Sequence, residues 1–231
     1  MDPQDRYVML LSSLPASERL FLAKQPPISR IKLERRLRVL SEEDAHTLAQ
    51  VEAILNWGGL PMDTLDTDIL AKAEAALQHI ESGTLQLIVR HRLEMRTIIA
   101  ALRRRKQGEG APAHGAVWGF GRVTSHIARN WTDPGFRLGP GFPWVRKAAQ
   151  LLDDEDAVGF ERLVLESAHR DLHRHDARHH FDFEAVVIYV LKWSIFDRWA
   201  RAKAEDASKR FENLVAAGLG ARAVLTFEGE A

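Results

Sequence analysis

The chain contains no cysteine among its 231 residues. That excludes disulfides, thiolate catalysis and Cys-ligated zinc or iron–sulfur centres. Net charge is missing as well, because 32 Lys and Arg balance 32 Asp and Glu. No global field therefore draws the chain toward nucleic acid or anionic lipid. The most apolar stretch, Phe183 to Phe196, is too short to cross a bilayer and is interrupted by Lys192. The N-terminus, Met1-Asp-Pro-Gln-Asp, places acids where a signal peptide needs positive charge. These absences predict a cytoplasmic protein with no direct membrane insertion.

Catalytic signatures are also scarce. No Gly-x-Ser-x-Gly elbow accompanies the Ser, His and Asp residues. Gly119-Phe-Gly-Arg and Gly139-Pro-Gly lack the Lys-Ser/Thr of a phosphate loop. Both read most simply as turns.

What is present is helical periodicity, and alternating strand patterns are nearly absent. The predicted fold is mainly α and multi-helical, in two loosely repeated halves, with Val8–Leu11 either one short N-terminal strand or a buried helical turn. Ser29 is placed to cap a basic helix through Leu40, and Ser41-Glu-Glu-Asp44 resembles a capping box. The helix that Ser41 opens should stop at Gly58-Gly59. A further helix follows Asp66, with Ile69, Leu70, Ala73, Leu77 and Ile80 on one face and Gly83 as its C-cap. Thr84–Lys106, Phe120–Asn130, Trp144–Leu152, Glu155–Arg178 and Asp182–Leu214 complete the set. The chain then divides into an N-terminal helical half (1–107), a linker (108–117), a C-terminal helical half (118–217) and a loosely ordered tail (218–231).

The segment from Phe183 to Phe196 leaves almost no polar stripe. A helix that is apolar all round is either buried in a core or covered by a partner.

Two constellations hold potential metal ligands. Glu43-Asp-Ala-His46 and Glu166-Ser-Ala-His169 are Glu-x-x-His pairs on two predicted helices, with Glu94 and Glu184 on two others. Carboxylate-bridged di-iron bundles use that inventory. The run from His169 to His180 pairs His169 with His173 and His175 with His179 at helical spacing. Arg170, Arg174 and Arg178 oppose a cation there, and a helix C-terminus explains both His and Arg through its dipole. The basic run Arg103-Arg-Arg-Lys106, extended by Arg90, Arg92 and Arg96, offers a phosphate or RNA patch or a solvated helix end. No aromatic residue interleaves with it, so no nucleic acid is expected.

Three segments carry a resemblance. Tyr7-Val-Met-Leu-Leu-Ser-Ser-Leu-Pro15 is one, and Leu93-Glu-Met-Arg-Thr-Ile-Ile-Ala-Ala-Leu-Arg-Arg-Arg-Lys106 followed by Gly108 is the second. The third is Phe183-Glu-Ala-Val-Val-Ile-Tyr-Val-Leu-Lys-Trp-Ser-Ile-Phe-Asp-Arg-Trp199, with Arg210-Phe-Glu212 beyond it. Together they resemble an uncharacterised bacterial family encoded in V-type ATPase operons. That family is similar, more distantly, to the C/d subunit of V/A-type ATPases, whose paired helices seat the central stalk on the membrane rotor ring. Helices of that subunit carry an acid, an Asn three residues later and then a base; here Glu94, Thr97 and Arg103 match, with Thr in place of Asn. The resemblance implies a non-enzymatic accessory or stalk-adaptor protein, without cofactor, that binds V-type ATPase rotor or central-stalk subunits. Its location would be cytoplasmic, peripheral to the inner membrane through that partner. Arg90, Arg96, Arg103 and Arg104 are the candidate partner-binding residues. The alternative is a metal-dependent, di-iron-like helical-bundle enzyme built on Glu43, His46, Glu166 and His169.

Overall fold

A computed structural model describes residues 3–16, 21, 25–55, 67–113 and 115–203. Within them lie α1 (Pro3–Ser13), α2 (Arg30–Leu37), α3 (Glu42–Leu55), α4 (Thr67–His79) and α5 (Gly83–Lys106). These are followed by α6 (Val123–Arg129), α7 (Val145–Asp153), α8 (Ala157–Asp176) and a helix at 183–203, here α9. A 3-10 turn, Gly139–Gly141, precedes α7. The fold is mainly α, and the described residues contain no strand.

Val8–Leu11 belongs to α1 rather than to a strand. Leu10 and Leu14 are buried one helical turn apart while Val8 and Met9 are exposed, which is a period of four and not of two. The capping box at Ser41 is half formed. Ser41 Oγ accepts from the Asp44 N–H (3.1 Å), but the Asp44 carboxylate accepts instead from the Tyr7 hydroxyl (2.8 Å), tying α3 to α1. Ser29 precedes α2 without a side-chain cap bond, and α2 ends at Leu37. Gly83 is not the C-cap of α4. It is the first residue of α5, whose N-cap Ser82 accepts from the Leu85 N–H. Leu70, Ala73, Leu77 and Ile80 are buried as their spacing predicts. The stop at Gly58-Gly59, the Ile69 side chain, Arg210-Phe-Glu212 and the tail at 218–231 lie outside the described residues.

Helix α5 is the axis of the molecule and packs on α3, α6, α7 and α8. Its buried residues run from Leu85 to Leu102 and include both Thr97 and Arg92. The Thr97 hydroxyl donates to the Leu93 carbonyl (3.1 Å) and accepts from the Phe120 N–H (2.8 Å), pinning the segment after the linker onto α5. Close approach then selects glycine at position 121. Its φ is +78°, and a Cβ there would sit 2.7 Å from Glu94 Oε1. One apolar core contains residues from both sides of segment 108–117, from Leu48 to Trp199.

The all-round apolar character of α9 has an intramolecular explanation. Val187, Ile188, Val190, Leu191, Ile195 and Phe196 enter the main core. Val186 and Trp193, seven residues apart, face Leu10, Leu14, Ile28 and Leu33 of the N-terminal layer. Trp193 Nε1 donates to the Ile28 carbonyl (2.6 Å), and the Tyr189 hydroxyl donates to the Pro15 carbonyl (3.0 Å). The helix is sandwiched, so neither face needs a partner to cover it. No helix among the described residues is long and apolar enough to cross a membrane.

Candidate functional site

The arginines singled out by the sequence do not share one surface. Arg90 is exposed. Arg96 donates to the Ile54 carbonyl (3.0 Å) at the end of α3, and burial holds its guanidinium below the ordinary range. Arg103 lies over the Phe160 ring, 5.7 Å from its centre, at the start of α8. Arg104 pairs with Glu109 (2.7 Å). Arg92 is 4 % exposed, and burial pushes its guanidinium down to about 10 against the opposing pull of Asp171. The end of the run is equally engaged. Arg105 donates to the carbonyls of Trp131, Asp133 and Pro134, and Lys106 donates to the Asp153 carbonyl (3.2 Å). The basic run of α5 is a set of ties to α7, α8 and the 131–134 loop.

The two Glu-x-x-His pairs do not assemble. His46 is exposed and bonds Gln50 one turn along α3, with Glu43 exposed on the same helix. Glu166 pairs with Arg170 (3.1 Å) on the surface of α8. His169 meets the Phe196 ring edge-on at 6.0 Å. Glu94, which the bundle reading needs facing a metal, abuts Gly121 with Arg122 3.9 Å away. No three of Glu43, His46, Glu94, Glu166, His169 and Glu184 bring ligand atoms within reach of one another.

One set of three potential ligands does converge among the described residues. Ligand atoms of His179, Asp182 and Glu184 lie within 4.8 Å of one another. Each has other work. Asp182 Oδ1 accepts from the Ala185 N–H (2.9 Å) and so caps α9, while Oδ2 lies 2.7 Å from His179 Nδ1. His179 Nε2 lies 3.1 Å from Thr84 Oγ1, and Glu184 accepts from the Ser82 hydroxyl (2.6 Å). Both acids therefore sit at the N-terminal ends of α5 and α9, where helix dipoles favour them without a metal.

Beside this junction opens a cleft of about 500 Å³, between the end of α1, the α8–α9 turn and α9. Its polar wall is His173, Asp176, His179, His180, Tyr189 and Lys192. Lys192 is 5 % exposed and donates to Asp176 Oδ2 (2.6 Å). A cation in the middle of an apolar helix requires such a partner. That requirement was the sequence signal for this cleft, because Lys192 interrupts the apolar run. A second open groove, of about 610 Å³, runs between the end of α1 and the start of α2, where Arg36 donates to the Ser13 carbonyl.

Electrostatics near the cleft are dominated by burial. Burial first, then the Lys192 charge, holds the His169 imidazolium below its ordinary value of 6.5, and burial holds His175 down in the same direction. For Asp171, burial alone would raise the carboxyl, but His91 (Nδ1 2.9 Å away) and Arg174 outweigh it and leave it below the usual range. Unfolding returns the two imidazoles to about 6.5, so below that pH the unfolded chain binds more protons than the folded one and stability falls. The urea midpoint is expected to drop between pH 7 and 5.5, with a shallower drop in His169→Gln. An identical slope in that variant would remove His169 from the account. No family model, curated protein or solved structure matches this chain.

Proposed function

We propose that this chain is a binding protein, not an enzyme, and acts by surface complementarity as an accessory or stalk adaptor of a V-type ATPase. It needs no cofactor in this role. It works in the cytoplasm and reaches the inner membrane only through its partner, a rotor or central-stalk subunit. The resemblance of the segments beginning at Tyr7, Leu93 and Phe183 supports the identity of that partner.

The observation that carries the binding surface is a mixed apolar and basic patch at the α5–α9 junction. Thr84, Leu87 and Arg90 succeed one another at one-turn intervals on α5. Leu87 is 60 % exposed and Arg90 is exposed. Thr84 touches His179, and Phe181, two residues further, is 48 % exposed. Large apolar side chains beside an exposed cation fit a partner that offers an apolar pocket with an acidic rim. Of the four candidate partner-binding arginines, Arg90, Arg96, Arg103 and Arg104, Arg90 alone is exposed.

Affinity purification of the tagged chain from its native host should recover stalk or rotor subunits. Leu87→Asp combined with Phe181→Ser should abolish that recovery while leaving the fold intact, because surface changes of this kind alter stability by only about 0.5 kcal/mol. Undiminished recovery with the double variant would move the interface elsewhere. Recovery of the wild type alone, from cells shown to express the ATPase, would end the adaptor reading.

A further inference from the structure

We propose that the cleft at the α8–α9 turn binds a small organic carboxylate, with Lys192 at its floor holding the carboxylate head. This inference is independent of the partner surface. Lys192 carries three N–H donors and spends one on Asp176 among the described residues. The remaining donors belong to a buried ammonium that lines the cleft. Leaving them without acceptors costs free energy that an oxygen in the cleft recovers.

The balance of groups selects an anion. Among the described residues Asp176 is the one acid of the wall, and its Oδ2 is already shared between Lys192 (2.6 Å) and His173 Nδ1 (3.8 Å). His180 makes no hydrogen bond or ion pair with the described residues, so its ring is available to a ligand. A divalent cation is disfavoured by the Lys192 charge. Phosphate is disfavoured too, because among the described residues no arginine lines the cleft to form the bidentate contacts that match it.

The rest of the wall is apolar. Leu11, Leu14, Ala16 and Ala185 border the same space. A volume of about 500 Å³ falls within the usual range for small-molecule sites. A head group on Lys192 and His180 with a short hydrocarbon tail along Leu11 and Leu14 uses both halves of the cleft.

Isothermal titration of the full chain with butyrate, hexanoate and octanoate tests this, with hexanol and inorganic phosphate as controls. Saturable one-site binding is expected for the carboxylates, tightening with chain length, and none for either control. Lys192→Met should weaken hexanoate binding by about tenfold or more, the value of a charged hydrogen bond. That variant keeps the volume apolar and leaves the half-exposed Asp176 to solvent. His180→Ala should weaken binding several-fold, and serves as the test should Lys192→Met not fold. No saturation up to about 10 mM, the weak end of measurable affinity, would overturn the proposal. Equal binding of hexanol, or unchanged affinity in the folded Lys192→Met or in His180→Ala, would do the same. An acetylated acidic peptide that binds more tightly than every free acid would overturn the small-molecule source and assign the carboxylate to a protein partner.

Discussion

Trp193→Ala is expected to destabilise the protein by about 3–5 kcal/mol, the range for deleting a fully packed Trp side chain. Trp193 is 5 % exposed and sits with Val186 on the face of α9 that meets Leu10, Leu14, Ile28 and Leu33. Its Nε1–H donates to the Ile28 carbonyl (2.6 Å), and Arg30 lies over its ring, 5.6 Å from the centre. Truncation opens a cavity, orphans a buried carbonyl and removes a cation–π contact at once. The damage should be local as well as global. Amide exchange in α1 and α2 should accelerate more than in α5, because the second apolar cluster depends on this ring while α5 sits in the main core. A urea midpoint within error of the wild type would show that the N-terminal layer docks through other contacts.

Arg105→Ala should cost about 2–3 kcal/mol, a large effect for a half-buried cation. Arg105 donates to the carbonyls of Trp131 (3.3 Å), Asp133 (2.6 Å) and Pro134 (3.0 Å), and its guanidinium lies 4.4 Å from the centre of the Phe136 ring. These contacts hold a loop in which Phe136 and Arg137 adopt positive φ, at 50° and 52°. Such backbone is kept only where its surroundings over-determine it. Asp133 supplies the other restraint, since Oδ1 accepts from the N–H groups of Gly135 (2.8 Å) and Arg137 (3.2 Å). Those backbone bonds hold its carboxyl below the ordinary range. Arg105→Lys should recover only part of the loss, because a point charge cannot reach three carbonyls at fixed angles. Full recovery by lysine would mean that charge alone holds the loop. Thermal unfolding of the two variants separates these cases.

Helix positions were legible because each is written locally. The periodic apolar faces of α4 and α5 need only neighbours along the chain. Where two local signals competed, the sequence alone did not rank them. Asp44 follows Ser41 at capping-box spacing, but its carboxylate is drawn to Tyr7 37 residues away. Gly83 looks like a C-cap by position, yet Ser82 makes it the first residue of the next helix. The candidate sites were less legible. Glu-x-x-His spacing fixes which side chains share a face of one helix and says nothing about which faces of different helices meet. His46 and Glu166 accordingly point to solvent or to surface partners. The basic run of α5 reads as a patch because charge is visible in sequence, whereas the carbonyls that absorb it come from segments up to 47 residues away.

By itself, the sequence determined the helical class, most helix boundaries and the need to cover α9 on every side, since backbone periodicity and apolar composition are local properties. Only the tertiary structure decided what covers α9, which arginines remain on the surface and that Lys192 meets Asp176 at the floor of a cleft. Those outcomes depend on pairings between distant segments, and side-chain identity at one position carries no record of the face it will meet.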